Sequence, residues 1–159
     1  MTSKKSIRTL MKNAIVGIVS LFAVFSVLPP PSSAQSTKLA TETLMVPAAD
    51  PGIQLHVRNK RPEGVSNFGP ERIVLFVHGA TYCSESGFDL PLNGLSWMDN
   101  VAQRGWDVYI MDLRGYGRST RPPEMSRPLN ENPPIVNTDV AVRDVSAVVD
   151  YILSRRGVS

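Results

Sequence analysis

The feature that most constrains the fold is an uninterrupted apolar run in the middle of the chain. Residues Ile73 to Val77 read IVLFV, with Arg72 before them and His78-Gly79 after them. A strand with one solvent-facing side alternates apolar and polar residues, and this run does not alternate. We therefore predict a strand that is buried on both faces, which is typical of the centre of a parallel sheet.

A second strand and an intervening helix follow this run. Residues 107–113 (DVYIMDL) are again apolar on both faces, and residues 93–104 between the two runs have helical periodicity that ends at Gly105. The predicted apolar face of this helix consists of Leu95, Met98, Val101 and Ala102. The order strand, helix, strand predicts two parallel strands joined by a right-handed crossover.

Two shorter apolar runs precede this unit. Thr43–Val46 and Ile53–Val57 are separated by residues 48–52 (AADPG), whose Asp, Pro and Gly favour a turn, so we predict a β-hairpin. The polar residues 35–41 before the hairpin are predicted to be a leader. Residues 59–70, which contain Pro, Gly and Asn, are predicted to be a loop.

The chain ends in a predicted helix. Residues 119–137 are rich in Pro, Arg, Asn and Ser and indicate a surface excursion, after which Thr138-Asp139 is the predicted cap of a helix over Val140–Arg156. Gly157 follows as the stop. The predicted apolar stripe of the helix is Ala141, Val142, Val145, Val148, Val149 and Ile152. Such a stripe requires a sheet beneath it.

The N-terminus has the three-part layout of a secretory signal. Four cations lie within residues 1–12, an uncharged apolar run covers residues 14–28, and Ser32-Ser33-Ala34 follows Pro29 to Pro31. We predict a signal peptide over residues 1–34 that is cleaved after Ala34, and export to the periplasm or the exterior. The alternative is an uncleaved anchor through residues 14–28, which would be the only contact with a membrane.

The charge of the chain argues against nucleic acid as a partner. The net charge of +3 depends on the N-terminal cations, because residues 35–159 carry 13 Lys and Arg against 14 Asp and Glu. The chain has two histidines and one cysteine, Cys83, which are too few for a Cys/His zinc finger or an internal disulfide. We expect no metal and no cofactor.

The region from about Glu42 to Gly157 resembles the α/β-hydrolase superfamily, and exported bacterial-type members in particular. Two motifs carry the resemblance: His78-Gly79-Ala80 after one predicted strand, and residues 112–119 (DLRGYGRS) after the next. The resemblance implies the front part of the family's three-layer sandwich, with the hairpin followed by strand, helix, strand and helix. Residues 42–159 are therefore expected to be a partial hydrolase domain.

The resemblance also implies roles for both motifs. The backbone N–H of Ala80, after the His78-Gly79 pair, corresponds to an oxyanion-hole donor of the family. The segment after the second strand is expected to be a structural turn in which Gly115 and Gly117 allow positive φ and the side chains of Asp112 and Arg114 accept or donate hydrogen bonds. This segment lacks the third glycine of a dinucleotide-binding loop.

The sequence departs from the family in one respect. No G-x-S-x-G nucleophile elbow is present, and neither the acid nor the histidine of a catalytic triad follows Gly157. We therefore assign no catalytic residue and expect the chain to end before the elbow. Cys83, close to Ala80, is the one conceivable substitute nucleophile.

These observations lead to one main hypothesis about function and two alternatives. The chain is expected to be the N-terminal portion of an exported hydrolase whose intact relatives cleave small ester-like or related acyl substrates with a Ser–His–acid triad. The first alternative is a secreted binding module without catalytic activity. The second is a membrane-anchored protein that is not an enzyme.

Overall fold

A computed structural model describes residues 36–131 and 134–159; the predicted signal peptide lies outside these residues. The described chain forms a four-stranded mixed sheet in the order β1-β2-β4-β3. The strands are β1 (Leu39–Pro47), β2 (Gln54–Pro62), β3 (Ile73–Val77) and β4 (Asp107–Met111). The helices are α1 (Ser84–Phe88), α2 (Trp97–Ala102) and α3 (Thr138–Arg156).

Strands β1 and β2 form the predicted hairpin, but both are longer than the sequence indicated. Their antiparallel register runs from the pair Leu39–Pro62 to the pair Pro47–Gln54. Residues 39–41, predicted as part of the leader, and residues 59–62, predicted as loop, therefore lie in strands. The extension of β2 keeps its charged side chains paired, since Lys60 donates to Asp89 on a distant loop at 2.5 Å.

Strand β4 is the buried centre of the sheet. It pairs with β2 in antiparallel fashion and with β3 in parallel fashion, and all five of its residues are buried. The prediction of two parallel strands is confirmed. The prediction that Ile73–Val77 is buried on both faces is wrong for the described chain, because β3 pairs only with β4 there and its residues are half-buried or, at Val77, exposed.

The helices differ from the prediction mainly at their ends. A helix was predicted over residues 93–104, but the observed helix α2 is shorter. Asn93 and Gly94, with φ of 54° and 89°, form a turn instead. Ser96 then caps α2 by accepting a hydrogen bond from the Asp99 N–H. Helix α3 is capped by the side chain of Asn137, not by Thr138-Asp139. Helix α1, which follows β3, was not predicted.

The sheet is covered on both faces, as expected for three layers. On one face Val148 and Ile152 of α3 pack with residues of β2 and β4. On the other face Met98 and Ala102 of α2 pack with Val108 of β4. Two members of the predicted α3 stripe, Val142 and Val149, are exposed. No helix in residues 36–131 and 134–159 combines the length and the hydrophobicity needed to cross a bilayer.

Candidate active site

The carboxyl ends of the parallel strands β3 and β4 bring both sequence motifs to one edge of the sheet. The loop after β3 carries His78, Gly79 and Ala80, and the loop after β4 carries residues 112–119. Ligands of open α/β sheets bind outside this edge, because the loops there diverge and leave a crevice. The candidate site is built from these two loops, from residues 134–137 ahead of α3 and from Thr138 at its start.

His78 is a buried link between the two loops. Its Nε2 accepts a hydrogen bond from the Leu113 backbone N–H at 3.0 Å, which requires Nε2 to be unprotonated. The proton of the neutral ring is therefore on Nδ1, which lies 2.6 Å from the Gly79 carbonyl oxygen and donates to it. Both ring nitrogens of His78 are engaged, so this histidine has no free lone pair with which to act as a base.

A second link fixes Ala80. The Tyr116 hydroxyl donates to the Ala80 carbonyl oxygen at 2.6 Å, and the Tyr116 ring packs against the His78 imidazole with centroids 4.8 Å apart. Within the described chain the Ala80 N–H has no acceptor. The assignment of His78, Gly79 and Ala80 to an oxyanion hole stays a prediction, and these contacts show how that backbone is held.

Asp112 is the anchor of the loop after β4. Its buried carboxylate accepts hydrogen bonds from the Ser84 N–H and hydroxyl at 2.8 and 2.7 Å, from the Arg118 N–H at 3.0 Å, and from His56 Nδ1 at 3.0 Å. Burial raises the pKa of Asp112, but the hydrogen bonds, led by that of His56, outweigh burial and hold the pKa far below the usual carboxyl range. Asp112 is therefore a charged hydrogen-bond acceptor at neutral pH.

Arg114 connects the same loop to α3 on the opposite side of the sheet. Its Nε donates to the Asp144 carboxylate at 2.9 Å, and its Nη2 donates to the same carboxylate. Its Nη1 lies 2.6 Å from the carboxylate of Asp50 in the hairpin turn. The hydrogen bond from Arg114 is the main cause that lowers the pKa of Asp50. Asp144, which is fully buried, was not recognised from the sequence.

Two glycines make the turn possible. Gly115 has φ of 81° and Gly117 has φ of 47°, the left-handed region that other residues rarely adopt. A Cβ on Gly117 would also collide with the Asp112 carboxylate, so the carboxylate can be enclosed only because this position lacks a side chain. The structural role of Asp112, Arg114, Gly115 and Gly117 stays a prediction to be tested by substitution.

Two adjoining hollows lie over the loops. A cleft of about 670 Å³ is lined by the loop after β3 at Thr81 and Cys83 and by the excursion at Met125 and Ile135. A smaller hollow of about 220 Å³ is lined by His78, Gly79, Ala80 and Thr138, among others. Tyr116 and Val136 line both. The larger volume is in the range that holds small-molecule ligands.

Nucleophile and base are not brought together in the described residues. No serine, threonine or cysteine side chain there is hydrogen-bonded to an imidazole nitrogen, and the second histidine, His56, is buried with its Nε2 unpartnered. The Cys83 thiol lies 3.4 Å from the Ser86 hydroxyl, a contact that lowers the pKa of the thiol. Residues 36–131 and 134–159 contain no group of three His, Cys, Asp or Glu placed to hold a metal ion.

Comparison with known proteins identifies the family. A sequence model described as the alpha/beta hydrolase fold matches residues 72–158, which is more than half of the chain. The chain belongs to the alpha/beta hydrolase family. The match includes both loops of the candidate site and all of α3. A comparison with curated proteins gives no match.

Solved structures of this fold are similar over most of the chain. A hypothetical protein from Pseudomonas aeruginosa is 19% identical with a TM-score of 0.51, and the match covers 79% of this chain and 32% of the other. A post-proline cleaving enzyme from Rickettsia typhi is 14% identical with a TM-score of 0.49, over 76% and 16%. A bacterial brefeldin A esterase is 17% identical with a TM-score of 0.43, over 98% and 38%. The chain thus spans between 16% and 38% of the length of these relatives.

Proposed function

We propose that the chain is the N-terminal part of an exported α/β hydrolase and supplies the oxyanion donor and part of the acyl-binding cleft for ester or related acyl hydrolysis. The family membership of residues 72–158 supports the reaction class. The chain covers 32% of the Pseudomonas aeruginosa structure, and this small share supports the proposal that the chain is part of a larger domain. The nucleophile, its base and the acid then belong to the remainder of that domain.

The observation that carries the proposal is the position of Ala80. Its N–H follows the end of β3, its carbonyl oxygen is held by Tyr116, and it lines a hollow that shares Tyr116 with the larger cleft. In acyl transfer the carbonyl oxygen of the substrate becomes negative in the tetrahedral intermediate. A backbone N–H that is already fixed can stabilise this charge without reorganisation, while the acyl group occupies the adjoining cleft.

The proposal divides the catalytic work. Acyl transfer requires a nucleophile, a base within hydrogen-bond reach and an oxyanion hole. The described residues can contribute to the last of these, whereas His78 is engaged through both nitrogens and His56 is enclosed. We therefore expect no turnover of p-nitrophenyl acetate above the buffer rate by residues 35–159 alone.

Activity should appear in a polypeptide that continues into the sequence encoded downstream of Ser159, where we expect a G-x-S-x-G elbow. In that longer chain, Ala80→Pro removes the N–H and should lower kcat by about 10²–10³-fold, whereas Ala80→Ser keeps the N–H and should change kcat little. Hydrolysis by residues 35–159 that Cys83→Ser abolishes would overturn the proposal, since Cys83 would then be the nucleophile.

Export is part of the same proposal. The N-terminal cations, the apolar run over residues 14–28 and Ser32-x-Ala34 support cleavage after Ala34. Mass spectrometry of the exported protein should give Gln35 as the new N-terminus. Recovery of intact residues 1–34 in the membrane fraction would favour the anchor.

A further inference from the structure

We propose that the cleft binds acyl substrates that carry a carboxylate, and that Arg121 is the residue that recognises it. This inference rests on the proposed function, because it names the substrate class of the same site. Arg121 lines the 670 Å³ cleft, and none of the other described residues that line it carries a charge. Among the described residues of its walls, a ligand that enters the cleft therefore meets one cation and no anion.

The exposed side chain of Arg121 makes a hydrogen bond to the protein but is not neutralised. Its Nη1 donates to the Gly115 carbonyl oxygen at 3.1 Å, and this is the one protein acceptor that it has in the described chain. No carboxylate of the described residues forms an ion pair with it. By contrast, the neighbouring Arg118 is paired with Glu85 at 3.2 Å. The other N–H groups of the Arg121 guanidinium are available to a ligand.

A carboxylate fits these remaining donors best. The planar guanidinium presents pairs of N–H groups that match the two oxygens of a carboxylate, and such paired, charge-assisted hydrogen bonds are stronger than neutral ones. Asp112, the buried anion of the same loop, is already enclosed by four donors and forms no ion pair with Arg121 in the described chain. Electrostatics and geometry therefore both favour an anionic group beside Arg121.

The rest of the cleft favours a short acyl chain. Met125, Ile135 and Val136 line it together with the Tyr116 ring, and Tyr116 and Val136 continue into the hollow beside Ala80. A substrate with a carboxylate at Arg121 could lay methylene groups along these apolar side chains and reach the Ala80 hollow with its ester carbonyl. Half-esters of short dicarboxylic acids have this shape.

The test is ligand binding to the full chain, which requires no turnover. The probes are monomethyl glutarate, which has one carboxylate and one ester, and dimethyl glutarate, which is neutral and has the same acyl backbone. Affinities are measured by NMR titration, and circular dichroism confirms that each variant is folded. We expect the wild type to bind monomethyl glutarate at least about tenfold more tightly than dimethyl glutarate, with the preference decreasing at high salt.

The variants assign the preference to one residue. Arg121→Gln should abolish the preference by weakening monomethyl glutarate binding while leaving dimethyl glutarate unchanged. Arg104→Gln, which removes an exposed cation at the amino end of β4, should preserve the preference. Equal binding of both esters to the wild type, or equal effects of both substitutions, would overturn the role of Arg121 alone. Failure of both esters to bind the folded chain would overturn the acyl-binding cleft as well.

Discussion

Replacement of Arg114 by Met should be one of the most destabilising single substitutions in the chain. The Asp144 carboxylate is fully buried, and every side-chain donor that it has in the described residues belongs to Arg114. Arg114→Met fills much of the same volume but leaves Asp144 with only the Arg114 backbone N–H, at 3.2 Å. The substitution therefore creates an uncompensated buried charge.

The expected cost follows from that charge. Removal of one partner of a buried ion pair costs about 3–5 kcal/mol, whereas replacement of both partners by apolar residues is often neutral or stabilising. We expect Arg114→Met to lower the free energy of unfolding by about 3–5 kcal/mol, a large share of the roughly 5–15 kcal/mol of a typical domain. The double variant Arg114→Met/Asp144→Leu should recover most of this loss.

Urea unfolding at low protein concentration, followed by the fluorescence of Trp97 and Trp106, measures these differences. Arg143→Met is the matched control, since Arg143 approaches the same Asp50 carboxylate at 3.3 Å but is exposed on α3. It should cost less than about 1 kcal/mol. A cost below 1 kcal/mol for Arg114→Met, or a double variant no more stable than Arg114→Met, would refute the reasoning.

Three further substitutions test other contacts. Val77→Lys places a charge on the exposed end of the edge strand β3 and should lower concentration-dependent association, measured by light scattering, whereas Val142→Lys on the outer face of α3 should not. Gly117→Ala should lower the free energy of unfolding in urea by about 3 kcal/mol, because the strain of positive φ adds to a collision with Asp112. Gly64→Ala is the control, since this residue also has positive φ but has open space around it, and it should cost about 1–2 kcal/mol. The pKa of Asp112 is lowered in the folded state, so its ionised carboxylate contributes to the free energy of unfolding. This contribution is complete above the unfolded carboxyl pKa of about 3.9 and is lost as the pH falls below it. Asp112→Asn should therefore flatten the decline in the free energy of unfolding between about pH 4 and 2.

The elements found from the sequence are those whose signal is local. The apolar runs that became β3 and β4, and the glycine that ends α3, are recognised from a few adjacent residues, because apolar patterning and φ preference act at that range. The ends of β2 depended instead on distant partners. Lys60 extends the strand because its ammonium reaches Asp89 and Asp99, which are 29 and 39 residues away.

The position of the candidate site could be predicted from the sequence, but the buried residues that hold its side chains in place could not. His78 and Asp112 were found because each follows an apolar run. Three buried partners of Asp112 and Arg114, namely Ser84, Asp144 and His56, are separated from them by 28 to 56 residues. One signal was present and not used. Asp144 lies three residues after Ala141 and four before Val148, on the apolar stripe of α3, and a carboxylate on such a stripe requires a buried cation.

The three residues 112–114 explain how the two loops of the candidate site are positioned although the described residues bring no nucleophile and base together. Asp112 binds His56 of β2 and Ser84 at the start of α1 on one face of the sheet, and Arg114 binds Asp144 of α3 on the other. The N–H of Leu113, between them, holds His78 in the loop after β3. Each contact uses a buried polar group that would be costly to leave unpaired, so the position of the loop is determined from both sides of the sheet. Tyr116 in the same loop fixes the carbonyl of Ala80. The proposed oxyanion donor is therefore positioned by the contacts of this loop with β2, α1 and α3 and not by the residues that would carry out the chemistry.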